Sequence, residues 1–301
     1  MIYQTEPKEN AMAENIIGPT SHYFYSQRLK LHYVDWGNEG KPLLIMIHGG
    51  RDHCRNWDWV ALEFRRHYHV IAPDLRGHGD SDWAVGSPYA MIDYVVDLAQ
   101  LVSALGKSRL TLIGHSLGGG IVLQYSGVFP EKVERVVSIE GLGPPPAMIS
   151  QAPAHQRMGN WVSAMQSLAR RKVREYDSIE EALARMRAEN PHLSLQQARH
   201  LTIHGSKRNE NGTYSWKFDN YVRSASPYQF NLTDAEEIWS RIECPTLLIR
   251  GGESWTMEWE KDQRTRAFRN ASVATIKNAG HWVHHDRLEE SLAVIGKFLG
   301  V

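Results

Sequence analysis

The stretch that most limits what this chain can become is Gly114-His115-Ser116-Leu117-Gly118. It follows the apolar run Arg109-Leu110-Thr111-Leu112-Ile113 and opens onto Gly119-Gly120-Ile121-Val122-Leu123. A β-branched strand, one tight turn and a helix are implied, with a serine at the corner, which is the setting a G-x-S-x-G stretch requires. A sharp strand-to-helix turn puts its central residue in a strained backbone conformation and brings flanking side chains into collision. Gly114 and Gly118 avoid that collision because glycine has no Cβ. The helix beyond aims its free N–H groups, and the positive end of its dipole, at whatever Ser116 attacks. We read the stretch as a nucleophile elbow.

The rest of the chain supplies the scaffold such an elbow needs. Ser21 to Gln27 and Arg28 to Trp36 alternate apolar with polar residues, as half-exposed antiparallel strands do. Leu43-Leu44-Ile45-Met46-Ile47 is too apolar for a half-exposed strand and fits a parallel strand covered on both faces, ending at His48-Gly49-Gly50. A helix is expected over Asn56 to His67, and a buried strand over Tyr68 to Ala72. The turn-rich stretch Pro73-Asp74-Leu75-Arg76-Gly77-His78-Gly79-Asp80-Ser81 and a helix over Tyr89 to Leu105 come next. After the elbow, Gly119 to Val128 is a helix, and Val133 to Ile139 is a strand ending at Glu140-Gly141. This rhythm predicts an α/β fold, a mostly parallel sheet with helices on both faces.

The rhythm breaks after Leu142-Gly143-Pro144-Pro145-Pro146. Helical patterns follow over Ala154 to Tyr176, from Ser178 onward with that serine as N-cap, and over Ser194 to Ile203. Strand and helix return at Pro245 to Arg250, Thr256 to Phe268, Val273 to Ile276 and Leu288 to Leu299. The expected organisation is an N-terminal extension over 1–20, a core made of 21–143 and 236–301, and a helical insertion over 144–235.

Composition narrows the function classes. Lys+Arg and Asp+Glu both number 34, so no net field draws nucleic acid or an anionic membrane, and neither is expected as a partner. Cys54 and Cys244 lie far apart, which argues against a disulfide framework. The first twenty residues lack the basic and apolar regions of a secretory signal, and no apolar run approaches ~20 residues. A cytoplasmic monomer or homodimer is expected.

With the elbow, His48-Gly49-Gly50, Asp74 to Ser81 and Ala279-Gly280-His281 in this order, the chain resembles the serine hydrolases of the α/β-hydrolase fold from about Ser21 to the C-terminus. Within that fold, Ile139 to Pro144, Asn190-Pro191-His192-Leu193-Ser194 and Gly212 to Lys217 are similar to the serine hydrolase-like protein group. The resemblance implies a helical cap over the site and an order of nucleophile, acid and histidine along the chain.

Ser116 needs an adjacent base, and His281, after the last strand in Asn278-Ala279-Gly280-His281-Trp282, sits where the family keeps it. The family most often places its acid three or four residues beyond the glycine here represented by Gly251. Those positions hold Ser254 and Trp255, a departure from the pattern. Two carboxylates remain: Glu140, at a strand end where some dehalogenases and lactonases of the fold keep their acid, and Glu253. Glu140 is the preferred one, and it should have a partner, because an unpaired buried carboxylate is costly. The oxyanion hole is expected from the Leu117 and Gly50 amides.

Asp74, Arg76 and Ser81 read as turn and capping residues. Trp57, Trp59 and Trp282 are either walls of an acyl pocket or aromatic core. His284 and His285 suggest a metal site at first sight, but no other residues complete a ligand set, and neither metal nor cofactor is expected.

The implied activity is cleavage of a small-molecule carboxylic ester through an acyl-enzyme, with a Ser-His-Glu triad of Ser116, His281 and Glu140. Lactone, thioester, amide and carbon–carbon bond hydrolysis use the same apparatus, and a non-catalytic ligand binder can retain the fold. A serine nucleophile excludes the usual dehalogenase and epoxide hydrolase chemistry, which needs a carboxylate there.

Overall fold

The computed structural model describes residues 18–301 except 87, 88, 225, 229, 257 and 260. Most of the expected N-terminal extension therefore lies outside the described residues, and Thr20 already opens a strand. The chain begins with β1 (Thr20–Ser26), β2 (Leu29–Asp35), β3 (Leu43–Ile47), α1 (Asp58–Phe64), β4 (His69–Pro73) and α2 (Met91–Ala104). It continues through β5 (Leu110–His115), α3 (Leu117–Val128) and β6 (Val133–Ile139). After β6 come α4 (Ala154–Arg170), α5 (Ile179–Glu189), α6 (Leu195–Gly205), the hairpin β7 (Ser206–Arg208) and β8 (Tyr214–Trp216), and α7 (Leu232–Ser240). The last elements are β9 (Thr246–Gly251), β10 (Ala271–Ile276), α8 (Val283–Asp286) and α9 (Leu288–Leu299).

Eight strands form one sheet in the order β1-β2-β4-β3-β5-β6-β9-β10. β1 and β2 pair antiparallel, β2 meets β4 antiparallel, and every pair from β4 to β10 is parallel. The alternation read in residues 21–36 and the unbroken apolar runs read further on are the two signatures of those two kinds of strand. Every residue of β3, β4, β5 and β9 is buried. One apolar layer, with Leu98, Leu101, Ile121, Tyr125 and Trp239, packs α2, α3 and α7 on one face. A second, with Trp57, Phe64, Ile295 and Leu299, packs α1 and α9 on the other.

Several helix boundaries move from their expected places. α4 ends at Arg170, because Tyr176 instead exchanges backbone hydrogen bonds with Tyr214 at 2.8 and 2.9 Å, extending the small hairpin. Ser178 caps α5 as expected, accepting the Glu181 amide at 3.1 Å. The helix expected over Thr256 to Phe268 is not formed: the described residues there hold only a 3-10 turn, Gln263–Ala267. The Arg250 guanidinium takes the Thr256 carbonyl at 2.8 Å, and the Thr256 hydroxyl is turned inward, so the start of that segment is committed elsewhere. α7 was not anticipated, and the expected boundary at 235/236 falls inside it. It is a core helix: Gly127 of α3 faces it so closely that a Cβ there would lie 2.1 Å from the Ile238 carbonyl oxygen.

Among the described residues no helix is long and apolar enough to cross a membrane. Cys54 and Cys244 are free and buried.

Candidate active site

Three strand ends converge. β5 ends at His115, and Ser116 follows at φ 53° and ψ −114°, a conformation L-residues rarely adopt. Its amide donates to the Ile139 carbonyl of β6 at 2.8 Å, so the corner is pinned from the neighbouring strand. The glycines do what the turn demands. A Cβ at Gly114 would lie 2.2 Å from the Gly118 oxygen, and one at Gly118 would lie 2.1 Å from the Ile47 oxygen. α3 starts at Leu117, leaving its first amides free at the mouth of the turn.

β6 ends at Ile139, and Glu140 follows in the left-handed region at φ 56°. Its side chain is fully buried. The carboxylate accepts the Gly251 amide on Oε1 at 2.7 Å, and on Oε2 the Ser254 hydroxyl at 2.7 Å and the Thr256 hydroxyl at 3.0 Å. The same Oε2 is 3.3 Å from His281 Nδ1. Ser254 thus occupies a position where the resembled family most often has its acid, and it donates a hydrogen bond to the carboxylate that arrives from β6. Glu253 is exposed, and among the described residues its carboxylate has no hydrogen bond to His281.

His281 stands in the loop between β10 and α8. Backbone contact fixes that loop against β9: a Cβ at Gly251 would lie 2.1 Å from the Gly280 oxygen, and Glu253 N donates to the Ala279 carbonyl at 2.9 Å. The His281 carbonyl accepts His115 Nε2–H at 2.9 Å, tying the loop to the residue before Ser116. Sequence reading gave His115 no part. Its burial, and then the neighbouring His281, hold its imidazole well below the usual value, so it is a neutral strut.

Ser116, Leu117, Gly50 and His281 line one cavity of about 890 Å³. No hydrogen bond joins Ser116 Oγ to His281 among the described residues, and such contacts commonly tighten only around a bound substrate. The His48-Gly49-Gly50 turn is held by the His48 ring, which donates from Nδ1 to the Gly49 carbonyl at 2.7 Å and accepts the Leu75 amide on Nε2 at 3.0 Å. Desolvation lowers the His48 pKa to about 4, consistent with that neutral, two-ended role. The next residue, Arg51, is again left-handed, at φ 63°.

The other predicted residues separate cleanly. Trp57 is core, stacked on His284 at 4.6 Å, and Trp59 lies against His200 and His285 under α6, while Trp282 lines the cavity. His284 pairs with Asn56 Oδ1 at 2.6 Å, and burial lowers the His285 pKa to about 3. Both are interior residues. Asp74 accepts the Cys54 amide at 2.7 Å, the Asp80 amide at 2.9 Å and His32 Nδ1 at 2.7 Å, and Arg76 is buried in a two-pronged pair with Asp97. Both hold the Asp74 to Ser81 turn.

Among the described residues two side-chain groups have a metal-like composition, His32-Cys54-Asp74 and Asp58-His200-His204. In the first, the 2.7 Å contact of His32 with Asp74 leaves no room between them. In the second, Arg55 occupies both Asp58 oxygens, at 2.9 and 2.8 Å. Neither group lines the cavity that Ser116 and His281 share.

The sequence model of the alpha/beta hydrolase fold matches residues 42–288. The chain belongs to the alpha/beta hydrolase family. It is similar to an esterase of Mycobacterium tuberculosis, 25% identical over 289 residues, covering 95% of this chain and 92% of that protein. A serine hydrolase-like protein of Danio rerio is 25% identical over 273 residues, covering 88% of this chain and 83% of that one. Among solved structures, the thioesterase domain from the curacin biosynthetic pathway superposes with a TM-score of 0.82 at 22% identity. That match covers 92% of this chain and 99% of that domain, and it bears on the fold alone.

Proposed function

We propose that this member of the family hydrolyses carboxylic esters through an acyl-enzyme, with Ser116 as nucleophile, His281 as base and Glu140 as the acid. One observation carries the reading: the Glu140 carboxylate, anchored by an amide and two hydroxyls, reaches His281 Nδ1 at 3.3 Å, and that histidine shares a cavity with a serine on a strained elbow. A buried carboxylate so tightly held can fix the tautomer and orientation of an imidazole and stabilise its cation.

Ser116 Oγ attacks the ester carbonyl carbon while its proton passes to His281 Nε2. The oxyanion accepts from the Gly50 and Leu117 amides, preorganised donors that need no rearrangement. His281 then returns the proton to the departing alcohol oxygen as the C–O bond breaks. Water, deprotonated by the same histidine, attacks the acyl-serine and releases the carboxylic acid and free Ser116. The segment 144–231, ending before α7, serves as the cap, since Tyr176, Leu193, Trp216 and Phe218 from it line the cavity. The esterase and serine hydrolase-like relatives favour this bond type.

Fluorophosphonate labelling read by intact mass tests it. The wild-type chain should gain one adduct, mapped to Ser116 by peptide analysis, and should release nitrophenol from short nitrophenyl esters. A folded chain that takes no label and turns over no ester would leave a ligand binder on this fold.

A further inference from the structure

The cavity above Ser116 is bordered by more guanidinium groups than an ordinary ester needs. Arg51 follows directly on Gly50, while Arg171 and Arg223 come from the 144–231 segment, and all three line the space that Ser116 and His281 face. Two further arginines line this cavity: Arg174 lies over the Tyr176 ring at 5.1 Å, and Arg185 is paired with Glu189. Among the described residues Arg51, Arg171 and Arg223 have no carboxylate partner within salt-bridge distance, and Arg223 rests over the Phe218 ring at 5.2 Å. They sense one another. Burial, and then the charges of Arg51 and Arg171, depress the Arg223 guanidinium against the pull of Glu189.

Glu189 of α5 also lines the cavity but is taken by Arg185, and the other acids there lie on the core side. Asp286 accepts the Gly280 amide at 2.7 Å, and Glu253 sits in the loop after β9, both on the elements that carry His281 and its support. Cations supplied mostly by the cap segment therefore face a nucleophile on the core. Like charges gathered without counter-ions raise the energy of the empty site, and an anion placed among them relieves it. A guanidinium's planar fork also matches carboxylate and phosphate oxygens two at a time.

Resting on the hydrolase reading above, we propose that this cavity selects esters bearing a second, anionic group, a carboxylate or a phosphate, which Arg51, Arg171 and Arg223 hold while Ser116 attacks the ester carbonyl. The anion is not consumed, and the bonds made and broken are those already described.

The test compares charged esters with neutral counterparts. On the acyl side, nitrophenyl hemiglutarate is set against its neutral methyl ester. On the alcohol side, 4-acetoxybenzoate and 4-acetoxyphenyl phosphate are set against methyl 4-acetoxybenzoate. In at least one series the charged ester should lead by about tenfold or more in kcat/KM, mostly through KM, the size expected of one or two charge-assisted hydrogen bonds. Arg171→Gln and Arg223→Gln, singly and together, should shrink that ratio, Arg223→Lys should keep part of it, and 0.5 M NaCl should reduce it. Equal or reversed preference in both series, or a ratio untouched in the folded double variant, overturns the proposal while leaving the esterase reading in place.

Calorimetry of glutarate and phenyl phosphate on Ser116→Ala protein reads the arginines without turnover. Heat with one ligand identifies the anion, and heat with both shows that either fits. No heat with either, on protein shown to be folded by circular dichroism, also overturns the proposal. Loss of fluorophosphonate labelling with anion binding intact would instead strike the catalytic reading.

Discussion

Gly118, beneath the nucleophile, and Gly159, in α4 of the 144–231 segment, live in opposite surroundings. A methyl group at Gly118 would meet the Ile47 carbonyl oxygen at 2.1 Å, whereas nothing stands within 4 Å of one at Gly159. The contrast holds for their neighbourhoods. Around Gly118 the side chains of β3 and β5 are all buried and backbone touches backbone, while α4 has no buried residue at all. The core side of the cavity is set by close approach of main chains, which leaves few acceptable residues at each position. The side contributed by the 144–231 segment mixes long charged side chains with Tyr176, Leu193, Trp216 and Phe218, and α4 in that segment is open to solvent.

The sharpest way to break this comparison is acid, because the core carries the buried histidines. Burial lowers His48 and His53 to about 4 and His78 and His285 to about 3, and holds His115 and His284 well below the usual value. Between about pH 6.5 and 4 the unfolded chain takes up protons that the folded chain refuses, so stability falls as pH falls through that window and is unaffected by these groups above it. Each contributes roughly 1.4 kcal/mol per pH unit at full slope. Asp52, whose pKa burial raises to about 7, runs the opposite way and offsets one of them. Urea midpoints should therefore drop steadily from pH 7 to pH 5. A flat series would mean that water reaches these rings.

Next in size is the nucleophile. Ser116→Ala should lower kcat at least about a thousandfold with an unchanged melting temperature. Activity close to wild type would move the chemistry off the elbow. The two candidate acids follow. Glu140→Gln should cost about a hundredfold or more in kcat, since the amide cannot support the imidazolium, while Glu253→Gln should stay within a few-fold. The reverse order would transfer the acid from β6 to the loop after β9. Smallest is the pair of glycines. Gly118→Ala should destabilise by about 1–3 kcal/mol or more, the range for overfilling a packed site. Gly159→Ala should leave stability unchanged or raise it by up to about 1 kcal/mol, the helix-propensity difference. Similar melting shifts for both would erase the distinction between core and cap.

How far the site could be read in advance follows the same division. Ser116 and His281 were legible because strand, turn and helix leave a local trace of glycines and apolar runs. The Thr256 to Phe268 helix was misread, since nothing local says that Thr256 turns its hydroxyl to Glu140 and yields its carbonyl to Arg250. His115 was passed over because a buried strut looks like any histidine until its carbonyl partner, 166 positions away, is known.

Short-range pattern by itself determined the parallel core and the strand-turn-helix corner at Ser116, because each is encoded within one turn or one strand of its own residues. Only the tertiary structure gave Glu140 and Glu253 their different surroundings. It did so by bringing Gly251, Ser254 and Thr256 onto one carboxylate, an arrangement made by donors more than a hundred residues distant that no local window contains. The arginines around the cavity belong to the same class. Spread along the chain they are ordinary charged residues, and the fold alone makes them neighbours.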